Sequence, residues 1–374
     1  MANNNENKIL NVPHLRFPEF SGEWVTKSIN DLAVVIGGGT PDTTVKSYWD
    51  GEIQWFTPSE IGKNKYVDSS LRTITEVGLN NSSAKLLPPN TILLSSRATI
   101  GECSLSLREC ATNQGFQCLV SKKCNVDFLY YLIQTKKKDL IRKSCGSTFL
   151  EISANEVRKI QVSVPSDVEQ QKIAELLSLI DERIATQNKI IEKLQSLIKG
   201  LAVALTTKEK ANIAISQCLE CHSSTLQESE VLSSGLCKVF GANGLVGYKD
   251  VPQMNGDAIL VIKDGSGVGT VSYAQGKFSV IGTLNYLTVI GNNDLRYLYF
   301  ALSVFNFQPY KTGMAIPHIY FKDYGKAKIY CPSLAEQKRV ANVLDKLESK
   351  LFVEQELLAS FNQQKLYLLG KMFI

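Results

Sequence analysis

The feature that most limits what this chain can fold into is an internal repeat. Pro165-Ser-Asp-Val-Glu-Gln-Gln-Lys-Ile-Ala174 returns as Pro332-Ser-Leu-Ala-Glu-Gln-Lys-Arg-Val-Ala341, nearly half the chain further on. Five of the ten positions are identical, and Lys172/Arg339 and Ile173/Val340 keep their chemistry. The same offset aligns Asn90-Thr-Ile-Leu93 with Asp257-Ala-Ile-Leu260, Asp127 and Tyr130 with Asp294 and Tyr297, Gly146 with Gly313, and Ile152 with Ile319. A register held this far means that one structural unit occurs twice. Two copies are too few for a solenoid, which needs three or more to bury a continuous core.

Each decamer opens a helix. Ser166 stands three residues before Glu169 and Ser333 three before Glu336. This is the spacing of a capping box, in which serine and glutamate satisfy free amides at a helix start. Apolar residues then step alternately by four and three through Ile173, Leu177, Ile180, Ile184, Gln187, Ile191, Leu194, Ile198, Leu201 and Leu205. The second copy runs through Val340, Leu344, Leu347, Leu351, Glu354, Leu358, Phe361, Lys365, Leu368 and Met372. Nine of ten and eight of ten positions are apolar, which is a narrow seam of the coiled-coil kind. At about 1.5 Å per residue such a helix is ~60 Å long, more than one small domain needs for its own packing. The two seams are therefore expected to pack on each other as an antiparallel coiled coil, relating the copies by a pseudo-twofold axis. Gln187 and Glu354 interrupt the seam at one repeat position, either as a polar pair that specifies register or as a solvated gap.

Ahead of each helix lies a segment of short β-like runs broken by Gly, Pro and Asn. They include Ile92-Leu-Leu94 and Phe116 to Val120 in the first, Ile259 to Ile262 and Leu284 to Ile290 in the second. Short helical patterns occur near Phe128 to Ile141 and Leu295 to Phe305. The expected fold class is α+β: two mixed modules, each followed by a long helix. The expected boundaries are a lead-in over 1–23 with a disordered start, a first module over 24–164, a helix over 165–206, a second module over 207–331 and a second helix over 332–374. Inside the modules the copies diverge: Gly37 to Ile61 has no close counterpart, and Val239 to Tyr248 reads as a different, turn-rich segment. A shared frame with divergent interiors implies one task performed on two targets.

Forty-one Lys and Arg against 36 Asp and Glu leave a formal charge of +5, which permits an anionic partner without demanding one. Nine scattered Cys give no disulfide framework, so reduced thiols in a soluble cytoplasmic protein with no membrane contact are expected. Several motifs carry little weight. Cys218-Leu-Glu-Cys221-His222 has the haem-attachment pattern but neither an export signal nor a second Cys pair for a metal, so no metal ligand is assigned. Gly265-Ser-Gly-Val-Gly269 lacks dinucleotide-binding spacing and reads as a turn. Asp42 and Glu52 faintly resemble a nuclease core without its lysine. No Walker A or Asn-Pro-Pro-Tyr run is present, and no catalytic residue is assigned.

Two variable modules alternating with two helices opened by Pro-x-x-x-Glu-Gln resemble the specificity subunit of type I restriction–modification systems. Val12-Pro-His-Leu-Arg-Phe-Pro-Glu-Phe20 resembles that family's lead-in. Gly38-Gly-Thr-Pro41, Tyr48-Trp49 and Ile53-Gln-Trp-Phe-Thr-Pro58 resemble one type of its first target recognition domain. Val239-Phe-Gly-Ala-Asn-Gly244 and Ile262-Lys-Asp-Gly-Ser-Gly267 resemble a type of its second.

The resemblance implies a non-catalytic subunit whose recognition domains each read half of an asymmetric, bipartite double-stranded DNA site while the helices set the spacer. It further implies docking of two methyltransferase subunits and addition of restriction subunits. S-adenosylmethionine, ATP and Mg would sit on those partners, with no cofactor in this chain. A homodimer through the helices is an expected alternative when partners are absent. Polar and basic loop residues are the candidate DNA contacts: Thr57, Ser59, Lys63, Arg97, Thr99, Lys143, Ser147 and Thr148 in the first module, and Asn243, Lys263, Ser266, Lys311 and His318 in the second. Lys136-Lys-Lys138 is assigned instead to a helix C-terminus. A protein–protein adaptor and a metal-dependent nuclease remain the competing readings.

Overall fold

The computed structural model describes residues 10–146 and 150–374. These fall into two compact units, one comprising the chain up to Gln187 with Leu357–Ile374 and the other Asn188–Glu356. Each unit holds one module, the adjoining half of one long helix and the far half of the other. The helices run over Asp167–Thr206 and Leu334–Met372.

The first module is built on a five-stranded sheet in the order Ala33–Gly37, Gln117–Ser121, Ile92–Leu94, Cys103–Ser106 and Tyr66–Val67. One lateral row of this sheet is Val35, Leu119, Ile92 and Leu105, all buried. Because side chains alternate across a strand, Ile92 and Leu94 pack with Phe128, Leu129 and Leu132 of the helix Val126–Thr135. Leu93 faces the other way, onto Phe56, Phe116 and Cys118. Burial on both faces explains why Ile92-Leu-Leu94 reads as an unbroken apolar run.

The second module repeats this plan with strands Leu219–Ser223, Leu284–Val289, Ala258–Ile262 and Val271–Ala274. Ile259 and Val261 face the helix Leu295–Ser303, while Ala258, Leu260 and Ile262 face Val239, Phe278 and Val280.

The interiors are less different than their sequences. In the first module Trp49–Phe56 pairs in parallel with Cys110–Thr112 and antiparallel with Arg72–Ile74. In the second, Cys237–Gly241 pairs in parallel with Lys277–Val280 and antiparallel with Gly244–Lys249. The turn-rich Val239 to Tyr248 is thus a hairpin, and the segment from Gly37 to Ile61 does have a counterpart. Strand pairing is made by backbone groups, so the second sheet survives a change of most of its side chains.

A two-stranded clasp closes each module before its long helix: Val25–Ser28 with Gln161–Val164, and Ile213–Ala214 with Lys328–Ile329.

The long helices follow the seam. In the first unit Ile173, Leu177 and Ile180 are buried with Leu368, Met372 and Phe373. Ile184, Leu358 and Phe361 are half-buried, and Lys365 pairs with Asp181 at 2.7 Å. In the second unit Val340, Ala341 and Leu344 share a core with Ala202, while Ile191 and Leu194 are buried and Ile198, Leu347 and Leu351 half-buried. Within each unit the start of one helix lies against the end of the other, the antiparallel arrangement expected. Gln187 is only 5% exposed. Glu354 pairs with Lys350 at 3.4 Å.

The capping boxes form differently. Ser333 Oγ accepts from the Glu336 amide at 3.4 Å, but Glu336 turns to Arg339. At the first helix Glu169, 1% exposed, accepts from Arg16 Nε and Nη2 at 2.7 Å each and from Trp24 Nε1 at 3.3 Å. A bidentate guanidinium outcompetes a neutral amide for a carboxylate, so the lead-in takes the glutamate. The residue after the glutamate braces both helices. Gln170 Nε2 donates to Pro165 O at 3.0 Å and its Oε1 accepts from the Asn125 amide at 3.0 Å. Gln337 Nε2 donates to Pro332 O at 2.8 Å and its Oε1 accepts from the Asp294 amide at 2.8 Å. Asn125 and Asp294 are the N-caps of Val126–Thr135 and Leu295–Ser303. The structural partner of Asp294 is therefore Asn125, and the sequence match of Asp127 to Asp294 is two residues out of register at this turn.

Candidate nucleic-acid interface

In the first module the loop after Ile92–Leu94 is a hub. The Ser96 amide donates to Gly115 O at 2.8 Å, and the Ile152 amide donates to Ser96 O at 3.1 Å. A Cβ on Gly115 would lie 2.9 Å from Pro58 Cγ. The segment after Phe56, the turn around Gly115 and the Glu151–Ile152 backbone thus all meet the hub. Cys145 and Glu151 exchange two backbone hydrogen bonds of 2.9 Å. Ala98, at the hub's tip, has a positive φ. This is left-handed backbone that a residue with a Cβ holds at a cost and that clusters at functional sites.

Five first-module candidates are carried on these loops, and Lys143 caps the helix Lys137–Arg142 just ahead of Cys145. Thr57 Oγ1 bonds Glu60 at 2.7 Å and Ser59 Oγ at 3.0 Å. Lys63 is exposed beside Gly62, whose amide donates to Ser104 Oγ at 2.9 Å. Arg97 pairs with Glu151 at 2.8 Å, with both side chains more than one-third exposed, and Thr99 Oγ1 donates to Ser95 Oγ at 3.2 Å. Lys143 Nζ lies 3.9 Å from Glu156. Ser147 and Thr148 fall outside the described residues.

The second module rebuilds the same hub. The Ile319 amide donates to Lys263 O at 2.9 Å, the counterpart of the Ile152 to Ser96 bond at the repeat offset. Bridges Arg97–Glu151 and Cys145–Glu151 are matched by Asp264–His318 and Thr312–His318 at that offset, with every side chain changed. Lys263, Ser266, Lys311 and His318 are gathered here, and among the described residues neither Lys263 nor Lys311 is in an ion pair. Asn243 is not gathered; it is exposed on the separate turn between Cys237–Gly241 and Gly244–Lys249.

Sequence reasoning passed over Glu151 and Asp264, the acidic halves of these bridges, and the turn glycines Gly115 and Gly282. The glycines stand at the repeat offset and could have been found by extending it. It also passed over Met314 and Ile316, for which the run Met-Ala-Ile-Pro after Gly313 was the only signal.

The discounted motifs resolve simply. His222 stacks on Tyr286 at 4.8 Å, and burial pushes the Cys221 thiol up to about 11. Among the described residues no group of three or more His, Cys, Asp or Glu could hold a metal ion. Asp42 accepts from the Thr44 hydroxyl and amide, which hold its carboxyl below the usual range in a local turn. Lys136 caps Val126–Thr135 at its C-terminus and donates to Ile374 O at 2.7 Å. No helix among the described residues is long and apolar enough to cross a membrane.

The chain is thus a duplicated α+β module with one loop hub per copy, each copy joined to a long seamed helix. The profile of the type I restriction modification DNA specificity domain matches residues 21–196 and 222–363, and the chain belongs to that family. The type I restriction enzyme MjaIX specificity subunit of Methanocaldococcus jannaschii is 40% identical over 180 residues, spanning 46% of this chain and 42% of that protein. The EcoprrI specificity subunit of Escherichia coli is 25% identical over 360 residues, 87% of this chain and 88% of its own. The S subunit of a type I restriction–modification system from M. genitalium shares the fold, with a TM-score of 0.65 at 19% identity over 97% of this chain and 99% of that one.

Proposed function

We propose that this chain is the DNA-sequence-recognition subunit of a type I restriction–modification complex, reading an asymmetric bipartite site with one half per module and catalysing nothing itself. The observation that carries this reading is the twice-built hub. Matching backbone hydrogen bonds recur at the repeat offset, presenting Arg97, Cys145 and Glu151 in one copy and Asp264, Thr312 and His318 in the other. Base edges in the major groove differ in donor, acceptor and methyl pattern, so a constant frame with changed side chains suits two different half-sites. Phosphate contacts from the lysines around each hub would supply sequence-independent affinity.

Docking of two methyltransferase subunits is supported by the long helices. Leu179 and Leu366 in the first unit, and Leu197, Phe352 and Val353 in the second, are exposed beyond what the seam uses. Restriction subunits would join that assembly in the cytoplasm, S-adenosylmethionine, ATP and Mg being carried by the partners. Without partners, the same exposed faces favour a homodimer.

The test is co-expression with the methyltransferase subunit encoded beside it, followed by genome-wide mapping of methylated adenines. A single two-part motif with a fixed gap is expected, and exchange of residues 24–164 for another module changes only one half of it. A continuous motif, or none, would overturn the reading and leave a protein–protein adaptor.

A further inference from the structure

The second hub carries a feature that positioning alone does not require. Thr312 and His318 exchange backbone hydrogen bonds of 2.9 and 2.8 Å, closing a loop of Gly313, Met314, Ala315, Ile316 and Pro317. The loop is stiff. Gly313 has a φ of 87°, and a Cβ there would meet Ile316 O at 2.4 Å, so no larger residue fits. Pro317 has a fixed φ, and its carbonyl accepts from the Gly265 amide at 2.9 Å, pinning the loop to the hub. At the tip of this rigid finger Met314 is fully exposed and Ile316 is 67% exposed. Neither belongs to a hydrophobic core, so folding does not explain them.

The base of the finger carries three lysines against one aspartate, Asp264, which bridges His318. Lys311 precedes the finger, Lys263 sits beneath it through the Ile319 bond, and Lys322 lies over Tyr320, whose ring abuts His318. A net cationic base with an apolar tip suits duplex DNA: cations meet phosphates at the groove edge while the tip reaches inward. The tip side chains Met314, Ala315 and Ile316 offer no strong hydrogen-bonding group, and the apolar feature on a base edge is the thymine 5-methyl, which lies in the major groove.

We propose that the finger from Thr312 to His318 enters the major groove of the second half-site and that Met314 and Ile316 read thymine methyl groups there. This rests on the assignment of the second module as a half-site reader. Because the finger's backbone is stiff, little loop entropy is lost on contact.

The test uses the chain in complex with its methyltransferase subunit and a duplex bearing the mapped motif. Each thymine of the second half-site is replaced in turn by deoxyuridine, which removes only the methyl group. At one or two positions the wild-type complex is expected to lose about fourfold in affinity, the worth of one buried methyl. In a Met314→Ala, Ile316→Ala variant the same replacements should change affinity by less than about twofold, the residue of additivity expected for uncoupled groups. Met314→Leu should keep the coupling, and retained discrimination in the first half-site shows that the variant is folded. Equal loss of affinity for all sequences, absence of any coupled thymine, or a half-site without thymine overturns the proposal. A wild-type complex that methylates no bipartite motif overturns the functional assignment itself, and the finger's role with it.

Discussion

Arg16 and Glu169 show how one residue pair can tie distant chain segments together. The Glu169 carboxylate is 1% exposed and accepts from Arg16 and the Trp24 indole, joining the lead-in to the first long helix. Removing the cation would strand a buried negative charge, which costs about 3–5 kcal/mol. Arg16→Ala is expected to lower the urea midpoint accordingly; a loss below about 1 kcal/mol would mean the pair behaves as an exposed one. At the other functional extreme, Gly313→Ala forces a Cβ onto Ile316 O at 2.4 Å in left-handed backbone. The expected result is loss of second half-site recognition with the first half-site retained, measured by methylation of duplexes carrying either half-site altered.

The element that matters most is the junction of module and long helix, and it is made by glutamine. Gln170 and Gln337 each hold the proline carbonyl at their own helix start and the N-cap amide of the module helix. Tyr131 and Tyr299 add a second tie, donating to Asp181 at 2.7 Å and Glu348 at 2.9 Å. Gln337→Leu leaves the Asp294 amide without that acceptor and is expected to cost about 1–3 kcal/mol in chemical denaturation. Along the seam, Leu177 and Leu344 are fully buried. Leu177→Ala and Leu344→Ala empty these positions and should each cost about 2–5 kcal/mol. Leu366 lies on an exposed face, so Leu366→Ala should leave the urea midpoint of the isolated chain nearly unchanged. It should nonetheless weaken capture of the methyltransferase subunit in a pull-down from co-expressing cells.

For the molecule as a whole, the net charge of +5 is modest, and the basic residues matter by place rather than number. Lys263 and Lys311 stand at the second hub without ion pairs among the described residues, whereas Arg97 and Lys143 at the first face Glu151 and Glu156. Lysines that meet phosphates release counterions, so Lys263→Ala and Lys311→Ala should each lower the slope of log K against log salt by about one. Their weakening should be uniform across sequences, in contrast to the finger variants. Arg97→Ala should change the slope less, because part of its charge is already neutralised within the module.

Much of this was legible in the residues. The repeat offset, the alternating four-three seam and the apolar runs at Ile92–Leu94 and Ala258–Ile262 determined two α+β modules and two antiparallel helices, because periodicity and burial are encoded locally. Arg97 and Lys263 both follow apolar strands, Ile92–Leu94 and Ala258–Ile262. What the residues alone did not decide was set by competition across the tertiary fold. Glu169 had a local amide within reach and went instead to a guanidinium 153 residues away. The hairpin over Cys237–Gly241 and Gly244–Lys249 shares its pairing with Trp49–Phe56 and Arg72–Ile74 without sharing sequence, since ladders are made by backbone groups that every residue carries. The finger followed the same rule: Gly313 and Pro317 were visible in the chain, but only the closed loop on its hub put Met314 at a tip, where no core claims it.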